Sequence, residues 1–334
     1  MSKYTCERCL KEFLQKSHYD KHQKKKIPCQ DNKDKIEKVV ENIINKKLIS
    51  NNSDNEITTT MFAASIDQKE TIKQDSLIPI VKWSGGKKDE LKKILPHIPK
   101  NYSMYLEPFI GGGAVYFNLN PPCAVINDVH KELIDFYQSI KDGYTDDIYK
   151  FMKEHPNDEE TYYKVRGYDN TDVLDNAKRF YYLRKTCFRG MLRYNKNGGF
   201  NIPFGRYKTY NFENIKNKGY EDILKRTEIF NKSFEAIFND YNDENNFMFL
   251  DPPYDSEFTD YGYCTFGKDE QRKLAKYFKE TKIKCLMIIG STQFIQELYK
   301  DYIVDEYDKK YKFKLHSGRV GDEINTKHLI IKNY

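Results

Sequence analysis

The chain has 334 residues, and its 56 Lys and Arg against 50 Asp and Glu leave a net charge of +6. Hydrophobic residues make up 39% and charged residues 32%, so part of the chain is expected outside a packed core, while 27 Tyr and 21 Phe supply an aromatic one. The mild positive charge suits nucleic acid without demanding it, and no apolar run approaches ~18 residues, which argues against a membrane-spanning helix. The start, Met1-Ser2-Lys3-Tyr4-Thr5-Cys6, lacks the apolar core of a signal peptide. Seven Cys without a regular framework point to reduced thiols and an intracellular protein.

In chain order, Cys6 and Cys9 stand two residues apart, His22 follows after twelve more, and Cys29 after six. Phe13 and Tyr19 lie between the second Cys and the His. The spacing resembles a ββα zinc finger of the C-x2-4-C-x12-H-x3-5-H type, with the last interval one residue too long and ending in Cys. Residues 1–30 are therefore expected to form a small zinc module with Cys6, Cys9, His22 and Cys29 as ligands. Zn2+ would supply the folding energy that so short a segment lacks. Over 31–49, Ile36, Val39, Val40, Ile43, Ile44 and Leu48 fall near one helical face. The polar, aperiodic stretch after them reads as flexible, so 31–77 is expected to be a linker.

The body opens with Lys82-Trp83-Ser84-Gly85-Gly86-Lys87, which holds the only Trp. Its glycine pair suggests backbone that approaches a ligand, and the spacing of a phosphate-binding P-loop is absent. Next, Tyr105-Leu106-Glu107-Pro108-Phe109-Ile110-Gly111-Gly112-Gly113-Ala114 reads as a strand entering a glycine turn and a helix start. Such a turn suits a nucleoside cofactor; nicotinamide is a competing ligand, although the G-x-G-x-x-G fingerprint is not met. Ala124-Val125-Ile126-Asn127-Asp128 reads as a second strand ending in an acid. Asp128 is placed either to accept from ribose hydroxyls or to cap the helix that follows.

Over 177–192 a helix is expected, followed by a hairpin around Asn195-Lys196-Asn197-Gly198-Gly199. Asn246-Phe247-Met248-Phe249-Leu250 reads as a buried strand that stops at Asp251-Pro252-Pro253-Tyr254. Consecutive prolines cannot donate to a sheet ladder, so the backbone leaves the sheet there. This presents a carboxylate, carbonyls and an aromatic face at a strand's carboxyl edge, where ligands bind in open α/β sheets. The corner looks suited to holding an exocyclic amine. The loop over 261–266 is expected to close over it, and late strands over 303–315 and 328–331 to complete the sheet in antiparallel fashion.

Taken together, Lys82–Lys87, Glu107–Gly113, Ile126-Asn127-Asp128, Arg189–Asn195, Phe200–Tyr207 and Asp251–Tyr254 resemble, in this order, the Dam-like (D12 class) DNA adenine-N6 methyltransferases. The resemblance runs from about Lys82 almost to the C-terminus and leaves the finger outside it. It implies S-adenosyl-L-methionine as methyl donor, double-stranded DNA as substrate and a Rossmann-like α/β sheet with an inserted, mainly helical target-recognition domain. By position, Trp83, Lys87, Asp128 and Asp251 would line the donor site with Glu107, Phe109, Gly111 and Gly113 of the glycine turn. Arg193, Asn195, Pro203, Arg206 and Tyr207 would contact DNA, and Asp251, Pro252, Pro253 and Tyr254 would carry the chemistry on an adenine flipped from the duplex, with GATC as the family's suggested target. The organisation expected is then 1–30 finger, 31–77 linker, 78–141 donor-binding part, 142–245 recognition region and 246–334 catalytic part. Competing readings are an RNA or protein-amide methyltransferase and an inactive DNA-binding protein. A companion restriction endonuclease and the oligomeric state are left open.

Overall fold

A computed structural model describes residues 4–5, 12–13, 16–23, 77–169, 172–255, 265–311, 314–315, 319–320 and 324–334. Two compact units divide the chain, Met1–Gln74 and Asp75–Tyr334. In the first, β1 (Tyr4–Thr5) pairs antiparallel with β2 (Glu12–Phe13), and α1 (Lys16–Gln23) follows. Hairpin then helix is the order expected of a ββα finger. Of the expected ligands, His22 lies half-buried on α1, while Cys6, Cys9 and Cys29 lie outside the described residues. Among the described residues, no group of three His, Cys, Asp or Glu side chains is placed to hold a metal. The helix expected over 31–49 and the linker as far as residue 76 also lie outside them.

The second unit is built on a seven-stranded sheet of β3 (Tyr105–Glu107), β4 (Ala124–Asn127), β5 (Thr227–Phe230), β6 (Phe247–Leu250), β7 (Lys284–Gly290), β8 (Ile303–Tyr311) and β11 (Ile324–Lys332), in the order β5-β4-β3-β6-β7-β11-β8. A separate short hairpin pairs β9 (Lys314–Leu315) with β10 (Arg319–Val320). β5, β4, β3, β6 and β7 run parallel, and β11 runs antiparallel between β7 and β8. The late strands are thus antiparallel to their neighbour, as their position after the last helix leads one to expect. Parallel strands covered on both faces need apolar residues throughout, and β3, β4 and β6 are fully buried.

Side chains alternate across each strand, so one strand feeds two cores. Tyr105, Ala124, Ile126, Phe247 and Phe249 enter one, while Leu106, Val125, Met248 and Leu250 enter the other. The first core is covered by α3 (Ala114–Leu119), α4 (Lys131–Lys141), α7 (Val173–Thr186) and α8 (Lys218–Lys225). The second is covered by α9 (Phe234–Asp240), α10 (Lys268–Glu280) and α11 (Gln293–Tyr299). The remaining helices are α2 (Leu91–Ile94), α5 (Thr145–Glu154) and α6 (Glu159–Arg166). Among the described residues no helix is long and apolar enough to cross a membrane.

The stretch 142–245 packs within the second unit and supplies β5, an edge of the central sheet. Its helices share the first core through Tyr162, Tyr181 and Tyr220. The helix expected over 177–192 ends at Thr186, because Gly190 takes a left-handed conformation and the chain turns sharply from Cys187 onward.

Candidate active site

β4 and β5 lie on one side of β3, and β6 returns to the other, so the strand order reverses between β3 and β6. The crevice at the carboxyl ends of strands at such a reversal is where ligands bind in open α/β sheets. Glu107 ends β3 and Asp251 follows β6 there, and both line a cavity of about 540 Å3 that also takes in Trp83, Phe109, Asp128 and Tyr254.

Lys87, 2% exposed, reaches both carboxylate oxygens of Asp251 at 2.7 Å and also donates to Gly85 O at 2.6 Å. Burial raises the Asp251 carboxyl above the usual range, a shift that the Lys87 charge and hydrogen bond reduce without reversing. The Asp-Pro-Pro-Tyr corner is pinned on its far side as well. Gln271 of α10, itself buried, donates to Pro253 O at 2.7 Å, and Thr292 donates to Asp255 at 2.7 Å. The Tyr254 ring rests on Gly290, where an added Cβ would approach Cδ2 to 3.0 Å, and meets the His328 ring edge-on at 5.2 Å. Lys87 Nζ stands 5.1 Å from its centre.

The glycine turn is held from several sides. Gly111 N donates to Asp128 Oδ2 at 3.0 Å, Tyr137 OH donates to Gly111 O at 2.8 Å, and Asn127 Nδ2 donates to Pro108 O at 3.0 Å. Trp83 lies directly on Gly111: a Cβ there would fall 2.6 Å from the indole Cδ1. Since Gly111 also has φ +44°, no side chain is tolerated. Gly113, at φ +67°, caps α3, and a Cβ on it would strike the Phe117 ring at 2.9 Å. We expect Gly111→Ala to displace the indole and weaken binding of S-adenosylhomocysteine at least tenfold by calorimetry; unchanged affinity would detach Trp83 from the donor site.

Asp128 is no helix cap. That place belongs to His130, whose side chain accepts from Leu133 N, while Asp128 Oδ1 accepts from His130 N at 3.0 Å. Burial, together with the nearby Arg184 charge, pulls His130 down to about 3, so its ring is neutral. Glu107 accepts from Tyr105 OH at 2.6 Å and from the Tyr116 backbone N–H in the first turn of α3, and burial raises its carboxyl well above the usual range. Phe109 packs on Phe234 and Phe266 at 5.6 and 5.8 Å, forming an aromatic wall.

Three carboxyl groups among aromatic walls suit a ligand that carries positive charge and a flat ring. Gly85, at φ +75° with nothing within 4 Å of its would-be Cβ, leaves open room on the same cavity. These residues therefore fit an adenosyl sulfonium donor. Burial raises Asp128 to about 6. A donor that requires the anion should bind with affinity that falls below pH 6, approaching tenfold per pH unit. Titration calorimetry from pH 7.5 to 5 should show this fall for the natural chain and a flat profile for Asp128→Asn.

The hairpin over 193–201 forms, with Tyr194 bridged to Phe200 and Asn195 N donating to Gly199 O at 2.9 Å. Its expected DNA contacts are held differently. Arg193 is exposed but donates to Asn201 across the hairpin at 2.8 Å. Asn195 caps the turn, accepting from Asn197 N and Gly199 N at 2.9 Å each. Pro203 is exposed and its carbonyl accepts from Phe188 N. Arg206, exposed at φ +51°, pairs with Glu159 at 2.8 Å. Tyr207 receives Lys82 Nζ 4.3 Å from its ring centre. Of the loop expected to close over the site, only Thr265 and Phe266 lie within the described residues, and both line the cavity.

Sequence reasoning missed the layer behind the corner. Glu90, 4% exposed, accepts from Tyr307 at 2.6 Å and Lys309 at 2.7 Å and pairs with His328 Nδ1 at 2.6 Å. His328 thus joins Glu90 to the underside of Tyr254. The available signal was one ring nitrogen base amid the apolar run Leu329-Ile330-Ile331.

A sheet with one reversed strand and a carboxyl-lined crevice at its switch point is consistent with an adenosylmethionine-dependent methyltransferase. The family model for D12 class N6 adenine-specific DNA methyltransferases matches residues 83–315. Type II methyltransferase M.CviBI of Paramecium bursaria Chlorella virus NC1A is 63% identical over 258 residues, covering 77% of this chain and 99% of that protein. Type II methyltransferase M.MjaIII of Methanocaldococcus jannaschii is 33% identical over 77% of this chain and 99% of its own length. DNA adenine methylase of Haemophilus influenzae is 32% identical over 66% of this chain and 82% of its own length. The chain belongs to the D12 class of N6 adenine-specific DNA methyltransferases.

Proposed function

We propose that the enzyme lifts its target adenine out of duplex DNA and holds it against Tyr254, with N6 facing Asp251. The lone pair of that amine is delocalised into the ring and is a poor nucleophile. Hydrogen bonds from its N–H groups to the Asp251 carboxylate and the Pro252 carbonyl draw the nitrogen toward tetrahedral geometry and free the lone pair. S-adenosylmethionine supplies an electrophilic methyl group on a cationic sulfur. Trp83, Phe109, Glu107, Asp128 and the turn at Gly111 and Gly113 hold that donor, and Lys87 keeps Asp251 ionised and aimed. Positioning and electrostatics then carry the reaction. The observation that bears most weight is the Lys87 ammonium bridging both Asp251 oxygens in the lining of the cavity, beside Tyr254.

Extrusion of a base costs a few kcal/mol, and stacking on Tyr254, at about 1–3 kcal/mol, offsets much of it. Arg193, Asn195, Pro203, Arg206 and Tyr207 are the DNA-facing set in this reading, with Arg193 and Arg206 exchanging their present partners for base edges or phosphates. A GATC-like target follows from the family resemblance. The N-terminal module binds Zn2+ through Cys6, Cys9, His22 and Cys29, a reading supported by its hairpin-then-helix order and by His22 on the helix. It adds DNA affinity outside the recognition hairpin.

Sequencing of modified positions in DNA from cells expressing the chain, with and without residues 1–77, tests this reading. One short adenine-containing motif should be methylated in both, with lower occupancy without the module. Methylation scattered over unrelated sites would remove the recognition role from the hairpin. Elemental analysis of the full chain should find one zinc per molecule, lost in Cys6→Ser; a metal-free protein would refute the finger.

A further inference from the structure

Two buried seams tie the donor loop to the recognition segment. The first is Arg184, at the end of α7 and 1% exposed. Its Nη2 and Nε both donate to Lys82 O, the latter at 3.1 Å; Nη1 donates to Met191 O at 2.9 Å and Nη2 also to Gly190 O at 2.5 Å. Lys82 immediately precedes Trp83, and the guanidinium carbon lies 5.5 Å from the indole centre. Gly190 is packed from the other side, since a Cβ on it would stand 3.1 Å from Lys82 Cβ. The second seam starts at Tyr194 in the recognition hairpin. Its hydroxyl bonds His130 Nε2 at 2.7 Å and Glu132 at 2.7 Å. The His130 ring meets Trp83 edge-on at 5.5 Å, and its backbone N–H donates to Asp128.

Each seam joins one group facing the donor cavity to one facing the DNA segment. Buried polar groups that satisfy both sides at once resist independent movement, because a shift on either side orphans donors and acceptors on the other. We propose that Arg184 and the His130–Tyr194 pair make donor binding and DNA binding one coupled equilibrium, so that each ligand fixes the loop the other requires. Arg184, His130 and Tyr194 are positioning residues in this scheme. It rests on the proposed assignment of the Trp83 loop to the donor and the 193–207 segment to DNA.

The test is a binding square on the full chain. Affinity for S-adenosylhomocysteine is measured by calorimetry with and without saturating duplex carrying a mapped methylation site, and DNA affinity with and without S-adenosylhomocysteine. The natural chain should show the same factor in both directions, on the order of tenfold, because coupling of binding free energies is reciprocal. Tyr194→Phe, which removes one hydroxyl, and Arg184→Lys, which keeps the charge but not the fork, should each bring the factor toward one. A merely structural role would instead weaken each ligand alone, or lower the melting temperature, and leave the factor intact. That result, or a factor of one in the natural chain, overturns the coupling. If Arg184→Lys does not fold, Tyr194→Phe decides alone. Unchanged S-adenosylhomocysteine affinity in Trp83→Ala, or unchanged DNA affinity in Arg193→Ala, would break the underlying assignment instead.

Discussion

Asp251→Ala is expected to lower methyl transfer about a thousandfold, the scale of losing one preorganised electrostatic contact to a transition state, while DNA affinity changes little. Asp251 is asked only to hold the amine, so binding of the remainder of the duplex does not depend on it. The same substitution strips Lys87 of its partner inside the protein. Breaking a buried pair costs about 3–5 kcal/mol, and the lower end applies here because the Asp251 side chain keeps 21% exposure and Lys87 keeps its bond to Gly85 O. Asp251→Asn separates the two effects. It preserves shape and one acceptor oxygen, so its melting temperature should fall less than that of Asp251→Ala while turnover still drops by orders of magnitude. Equal loss of activity and folding in both variants would make the residue structural. The measurements are single-turnover rates with DNA in excess, filter binding and thermal melting.

Glu90→Gln should cost about 3 kcal/mol at neutral pH. Burial raises the Glu90 carboxyl, but hydrogen bonds from His328, Lys309 and Tyr307 outweigh it, and the group falls from 4.5 to about 2. A drop of that size corresponds to about 3 kcal/mol of stability. The folded-state value is depressed, so the contribution is fully present above pH 4.5 and is lost as the pH falls toward 2. The gap between the natural chain and Glu90→Gln should therefore be roughly 6–12 °C in melting temperature at pH 7. It should close steadily below pH 4.5. A gap that does not change with pH would mean that lost packing, not the carboxylate, explains it. Since His328 meets the Tyr254 ring, a smaller loss of turnover is expected to accompany the destabilisation.

How much of this was legible in the sequence follows from what local patterns record. Strand ends are marked by side chains that change character, and Glu107, Asp128 and Asp251 each close an apolar run. Their convergence on one cavity follows from the reversal of strand order between β3 and β6, which no local pattern states but which the motif order implies. The hairpin was readable because Asn-Gly chemistry acts within a few residues. By contrast, Glu90 and His328 are 238 positions apart and meet only after the last strand inserts beside β7. Arg184 has no signature in the sequence, because its partners are backbone carbonyls. The aromatics of the recognition stretch, Tyr162, Tyr181 and Tyr220 among them, join the core over the sheet, a long-range packing that no local pattern records. Arg193 and Asn195 carried a correct hairpin signal, although both side chains are presently engaged in holding that hairpin together.

The most direct test of the central claim is the product. The full chain is incubated with S-adenosylmethionine and duplex DNA from a host lacking adenine methylation, and the DNA is digested to nucleosides and separated by chromatography with mass detection. N6-methyldeoxyadenosine should accumulate with the natural chain and about a thousandfold more slowly with Asp251→Ala. Methylation of cytosine, or no modified nucleoside across DNA of diverse sequence, would contradict the account.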